Sequence, residues 1–210
     1  MAFDFKKEYR DLYQPKGAPS IVEVPRMRFL AVAGAGDPNE EGGAYAHAVN
    51  LLYGVAYTLK MSYKTDHAIE GFYEYVVPPL EGFWWQQGVA GVDYADKASF
   101  SWLSVIRVPE FVREADFAWA VEAATAKKKL DFSPVRLVEV EEGLCVQCMH
   151  KGPYDDEPAT VDAMHAFAAA QGYAPDFSDE RRHHEIYLSD PRKTEPAKMR
   201  TVVRHPIREA

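Results

Sequence analysis

The chain has 210 residues and a formal charge of −8, with apolar and charged fractions ordinary for a globular protein. That length can bury a full core, as one large domain or two fused small ones. An acidic balance argues against a nucleic-acid partner, since phosphate binding needs clustered Lys and Arg. The N-terminus lacks the apolar core of a secretory leader, and the longest apolar stretch falls short of the ~20 residues that span a bilayer. No membrane partner is therefore expected, and the chain reads as soluble and cytoplasmic.

Residues 1–19, with breakers at Pro15, Gly17 and Pro19, read as a lead-in segment. A strand is predicted over 28–33, ending in the turn-rich 34–39. A helix follows over 44–61, because Ala48, Leu52, Val55 and Leu59 form one stripe of a 3.6-residue period. Residues 69–77 alternate like a strand stopped by Pro78 and Pro79. The stretch 80–98 reads as a long loop bearing Phe83, Trp84 and Trp85 among glycines. A strand over 100–107 closes the first half.

The second half opens with an Ala-rich helix over 113–130. Strands over 135–141 and 144–150 flank Glu142-Gly143, read as a hairpin turn. A break at 151–154 precedes a helix running to Gln171, with acids at its start and Pro158 in its first turn. Strands over 183–189 and 199–205 finish the chain. The order strand, helix, strand, strand thus occurs twice, in halves of about 20–110 and 111–210. If both halves pair around a pseudo-twofold axis, their junction is a natural ligand cleft.

Cys145 and Cys148 form a C-x-x-C on a predicted strand, so they point to opposite faces. Their Cα atoms then lie ~10 Å apart, beyond the ~7 Å that a disulfide can bridge. One such pair is also a poor zinc site. Arg181, Arg182, Arg192, Lys193, Lys198, Arg200 and Arg204 read as a solvated basic edge.

Aromatic residues make up 13 % of the sequence. Phe72, Tyr75, Phe83, Trp84, Trp85, Trp102, Tyr154 and Tyr187 fall in or beside the presumed cleft and together suit a flat aromatic ligand. In the strand over 183–189, alternation puts Ile186 and Leu188 toward the core and Glu185 and Tyr187 toward the cleft. A carboxylate among aromatic rings can serve as a base or as counter-charge to a cation. His183 and His184 face opposite sides, which disfavours a metal site built from that pair. His150 reads as a turn-stabilising residue. No P-loop, dinucleotide fingerprint, nucleophile elbow or H-E-x-x-H is present, and no metal or cofactor is expected.

Met149-His150-Lys151-Gly152-Pro153-Tyr154 resembles the H-x-G-x-Y turn of the GyrI-like family, and His184-Glu185-Ile186-Tyr187 resembles its terminal E-x-Y strand. The resemblance implies an α+β fold of tandem duplicated strand–helix–strand–strand units, SHS2-type, over residues 20–210. It further implies a pseudo-twofold antiparallel sheet with helices on one face and a ligand groove at the junction. Such proteins act as drug-sensing domains, gyrase-modulating proteins and stand-alone handlers of foreign compounds. The Trp-rich first half resembles a stand-alone subfamily that hydrolyses cyclopropane-bearing DNA-alkylating compounds. On that resemblance Glu185 and Tyr187 are the expected catalytic residues. Phe83, Trp84, Trp85, Trp102, Tyr154 and Tyr75 are expected to bind a bulky aromatic small molecule. A non-catalytic binder of cationic aromatic drugs and a gyrase-contacting module are the alternatives.

Overall fold

The computed structural model describes residues 2–210. Nine strands form one antiparallel sheet: β1 (Ser20–Val24), β2 (Met27–Ala35), β3 (Leu80–Trp85), β4 (Ser101–Arg107), β5 (Arg136–Val140), β6 (Gly143–Lys151), β7 (Tyr173–Pro175), β8 (His183–Tyr187) and β9 (Arg200–Glu209). Among the described residues five α-helices accompany them: α1 (Phe5–Glu8), α2 (Arg10–Tyr13), α3 (Ala44–Lys60), α4 (Glu114–Lys128) and α5 (Glu157–Ala170). No helix among the described residues is long and apolar enough to cross a membrane.

The strand order is β1-β6-β9-β8-β3-β4-β2-β5, with β7 added on β9. Its two ends meet. The register Ser20↔Gln147 to Val24↔Gly143 continues without slip as Met27↔Val140 to Ala31↔Arg136. β1–β2 and β5–β6 are therefore each one long bent strand, paired with each other over residues 20–31 and 136–147, and this pairing closes the sheet into a ring. The seam opposite is the ladder of β3 with β8, from Glu81↔Ile186 to Trp84↔His183. Along the chain, β2-α3-β3-β4 is followed by β6-α5-β8-β9, and corresponding strands occupy mirrored places about that seam.

Period-two alternation divides the sheet into two faces. One carries Phe29, Phe83, Val105, Cys145, Ile186 and Val202 against Phe5, Leu12 and Tyr13 of the first two helices. The other carries Leu30, Val32, Trp84, Trp102 and Ile106 under α3, and Val146, Cys148 and Val203 beside Met164 and Ala168 of α5. The helix α3 stripe behaves as its spacing predicts: Ala48, Leu52, Val55 and Leu59 are all buried. Cys145 and Cys148 are free, buried and on opposite faces, and burial raises both thiol pKa values.

Several expectations need correction. Residues 69–77 are not a strand: Phe72, Tyr73 and Tyr75 spend their rings on Phe111 and the N-terminal Phe3 and Phe5, and only Tyr75 makes a bridge, to Phe3. The strand lies instead at 80–85, inside the expected loop. Glu142-Gly143 is not a hairpin turn, since β5 and β6 pair with β2 and β1 rather than with each other. Gly143 at φ +63° supplies a bend there. The helices do not all share one face, because α1 and α2 cover the face opposite α3 and α5. Nor is the basic group wholly solvated: Arg204 is fully buried and Arg181 donates to the Glu142 and Leu144 carbonyls.

The face covered by α1 and α2 holds a buried polar network. His184 places Nδ1 3.0 Å from Glu142 Oε1 and Nε2 3.0 Å from Glu81 Oε2. Both contacts suit an imidazolium donating from each nitrogen, and the two carboxylates raise its pKa against the opposing effect of burial. Arg204 donates to Glu142 at 2.9 Å and to the Leu12 carbonyl at 2.8 Å, while the Tyr13 hydroxyl donates to Glu81 at 3.1 Å. The first residues thus complete the hydrogen bonding of the sheet's inner charges.

Candidate functional site

On the other face polar and aromatic side chains converge along the β3–β8 seam, the candidate groove. Its two sides are fed by the first turns of α3 and α5, which bring Tyr45 and Glu157. Trp84 on β3 folds back over Gly82, where a Cβ would lie 2.6 Å from the indole Nε1. The indole N–H donates to the Tyr187 hydroxyl at 2.9 Å. Tyr45 sits 5.3 Å from the Trp84 ring and 5.2 Å, edge-on, from Trp102. Phe100 lies 5.5 Å from Trp84, and Tyr154 meets Tyr187 edge-on at 5.7 Å. Such edge-on and tilted pairs are the favoured geometry between ring quadrupoles.

Glu185 lies on this face of β8, opposite Ile186. Its Oε1 is 2.8 Å from His183 Nε2, His183 Nδ1 is 2.6 Å from His205 Nε2, and His205 Nδ1 is 2.8 Å from His165 Nε2. If each ring carries its proton on Nε2, His165 donates to His205, His205 to His183 and His183 to Glu185, an unbroken relay of donors ending on the carboxylate oxygen. Burial and the neighbouring rings hold His205 well below the usual histidine range, so it is neutral.

Beside Glu185 lies Glu157, fully buried, with one oxygen receiving the Tyr94 hydroxyl at 3.2 Å and the other unpartnered among the described residues. Desolvation first, and the Glu185 charge second, raise the Glu157 pKa well above its ordinary value. A helix N-terminus would lower it, but that effect is worth only about 0.3–1 kcal/mol, whereas full burial shifts a carboxyl by up to about 3–5 pKa units. Burial wins, and Glu157 is the neutral partner of the pair. Tyr187 is likewise raised, by burial and then by Glu185, and Tyr45 is pushed up to about 12 by burial. The phenols therefore keep their protons and can donate.

Glu157, His183 and Glu185 bring donor atoms within 4.8 Å of one another. His183 spends one ring nitrogen on Glu185 and the other on His205, so in this arrangement neither of its nitrogens is free to act as a ligand.

Of the expected site residues, the structure brings together Trp84, Trp102, Tyr154, Glu185 and Tyr187. Trp85 lies just outside, half-buried, with the Arg182 guanidinium 3.5 Å above its ring. Phe83 and Tyr75 are corrections. Phe83 points through the sheet to stack on His184 at 4.0 Å, and Tyr75 is buried beside Phe5 and Phe111. Period two separates Phe83 from Trp84, and Tyr75 is not on a strand of the seam at all. Tyr45, Tyr94, Phe100, Glu157 and His183 escaped the sequence reading. The acid cluster at the start of α5 was visible, but nothing in it marked Glu157 as the buried member. His150 does serve its turn, with Nε2 donating to the Pro153 carbonyl at 3.1 Å and Nδ1 accepting from Thr160 at 2.8 Å.

Close structural relatives carry the same architecture. A crystal structure of an uncharacterized conserved protein from Listeria innocua is 48 % identical, with a TM-score of 0.92, covering 98 % of this chain and 100 % of that one. A hydrolase from Listeria innocua is 46 % identical with a TM-score of 0.89, again over 98 % and 100 %. The C-terminal domain of EcmrR, 12 % identical with a TM-score of 0.56 over 91 % of this chain and 98 % of that one, shares the fold alone. No curated protein matches the sequence. The family comparison spans nearly the whole sequence, residues 17–208, and the chain belongs to the GyrI-like small molecule binding domain family.

Proposed function

We propose that the groove binds a bulky aromatic molecule and hydrolyses cyclopropane-bearing alkylating compounds by adding water to the strained ring. The observation that carries this reading is the pairing of Glu185, held by His183, with the protonated Glu157 beneath a wall of Trp84, Trp102 and Tyr187. Burial keeps the proton on Glu157 while Glu185 accepts the His183 N–H, so the two carboxyls offer an acid and a base side by side. The 46 % identity to a Listeria innocua hydrolase supports an enzymatic role.

In this mechanism Trp84, Trp102, Tyr45 and Tyr154 hold the flat ligand, and their ring faces stabilise positive charge at the carbon under attack. Water bonds to that carbon as a cyclopropane C–C bond breaks, and the electron pair passes into the conjugated dienone to leave a phenolate. Glu185 takes the water proton, a role worth about 10²–10⁴-fold for a general base. Tyr187, whose oxygen already accepts the Trp84 N–H, has its own proton to donate to the oxygen that becomes phenolate.

Mass spectrometry of a duocarmycin-type compound incubated with the protein tests this directly. The expected product is heavier by one water, formed faster than in buffer and lost in Glu185→Gln. A second reading has its own observation: neither Glu157 nor Glu185 pairs with Lys or Arg among the described residues. Two such carboxyls suit a binder that sequesters cationic aromatic drugs unchanged. Recovery of intact compound from a protein whose tryptophan fluorescence is quenched by it would favour that reading.

A further inference from the structure

A cleft of about 870 Å³ opens next to the groove, sharing Trp84 and His183 with it and reaching outward along Trp85, Arg182, Phe177 and residues 86–91. That volume is in the range of sites for drug-sized ligands, about 300–1,000 Å³. The inner groove alone does not use it, and its chemistry differs from the groove's. The groove offers carboxyls and phenols; the cleft offers a cation stacked on an aromatic ring.

The cation is held in place. Arg182 donates from Nε and Nη2 to the Asp179 carbonyl at 3.0 and 2.6 Å, and its guanidinium carbon sits 3.5 Å from the centre of the Trp85 ring. These contacts fix the plane of the fork and leave Nη1 without a partner among the described residues. A pre-oriented guanidinium edge recognises a carbonyl or carboxylate acceptor. The glycines at 88 and 91, with φ of +79° and +88°, let the facing loop turn sharply along the cleft.

We propose that this cleft is a second subsite, distinct from the reacting groove. It takes the planar tail of an elongated aromatic ligand whose linker or ring carries a hydrogen-bond acceptor for Arg182. The tail stacks along Trp85 and the acceptor meets Nη1, while the head lies on Trp84 and Tyr187. The subsite rests on the groove being the ligand site but not on hydrolysis, and it selects length rather than reactivity. It gives neighbouring Trp84 and Trp85 separate duties: the first belongs to the head, the second to the tail.

The test is a comparison of dissociation constants, read by fluorescence quenching, for a full-length duocarmycin-type compound and its truncated head alone. Trp85→Ala is expected to weaken the full compound about tenfold, the equivalent of about 1.4 kcal/mol, and to leave the head unchanged. Arg182→Gln should do the same, with Arg182→Lys restoring little because a point charge lacks the planar fork. Tyr187→Phe should weaken both compounds. Equal losses for head and full compound in Trp85→Ala, or no loss for either, would overturn the subsite. Intact compound throughout, with the length-dependent losses present, would sink hydrolysis and leave the subsite standing.

Discussion

Trp84 on β3 and Tyr187 on β8 are joined by an indole-to-phenol hydrogen bond of 2.9 Å across the seam of the sheet. Neither strand alone fixes the other's side chain, so the bond ties groove shape to the pairing of the two halves. A double-mutant cycle of Trp84→Phe and Tyr187→Phe, followed by urea unfolding, should give a coupling of about 0.5–1.5 kcal/mol, the net worth of a neutral hydrogen bond. Additive losses would mean that the two rings are held independently.

Gly82 makes that bond sterically feasible. A Cβ at this position would sit 2.6 Å from Trp84 Nε1 and 3.1 Å from the Tyr187 hydroxyl. Gly82→Ala must push the indole away from the seam. Overpacking of this kind costs about 1–3 kcal/mol, and the variant should stay folded while losing tenfold or more in affinity for a flat aromatic compound. Circular dichroism and fluorescence titration check the two halves of that statement; retained affinity would show that the indole is free to move.

The same glycine explains where the sequence was legible and where it was not. Ala48, Leu52, Val55 and Leu59 announced α3, and Ile186 against Glu185 announced the faces of β8, because helix and strand periods act locally. Gly82, between Glu81 and Phe83, reads locally as a turn residue, yet it serves a close approach made by a tryptophan two positions on. Glu81 is polar in sequence but fully buried, because His184 and Tyr13 meet it from distant segments. Glu157 was hidden for the same reason: its burial is set by Tyr94 and β8, none of them near it in the chain. Residues 183–187 showed which face Glu185 takes, but not that His205 and His165 would line up behind His183.

Glu142 anchors the inner network by holding both His184 and Arg204. Removing it leaves the buried Arg204 without a carboxylate partner and His184 with Glu81 alone, so Glu142→Ala should cost about 3–5 kcal/mol. Although burial alone would raise its pKa, the charges of His184 and Arg204 lower it from 4.5 to about 2. A carboxyl depressed in the folded state stabilises the protein above its ordinary pKa, and that contribution fades as pH falls from 4.5 toward 2. Urea midpoints measured down this range should fall steeply for the native protein. In Glu142→Gln the midpoint starts lower and the acid slope is shallower; an unchanged slope would assign acid sensitivity to other groups.

Glu157 works in the opposite sense. Its folded pKa is raised, by burial and then by Glu185, so the folded state holds that proton more tightly than the unfolded chain does. The stabilisation is complete below the ordinary value of 4.5 and is lost as pH rises through the folded value. Glu157→Gln keeps the shape of the neutral acid and removes the group that must ionise or bind a proton. Its urea midpoint should therefore match the native protein near pH 4 and exceed it at pH 8. On the proposed mechanism, turnover should also persist to higher pH in Glu157→Gln if the acid serves mainly to keep negative charge away from Glu185. It should collapse at all pH values if Glu157 must give up its proton during the reaction. A midpoint at pH 8 equal to or below that of the native protein would mean that Glu157 ionises freely where it stands, and the division of the two carboxyls into base and acid would fail with it.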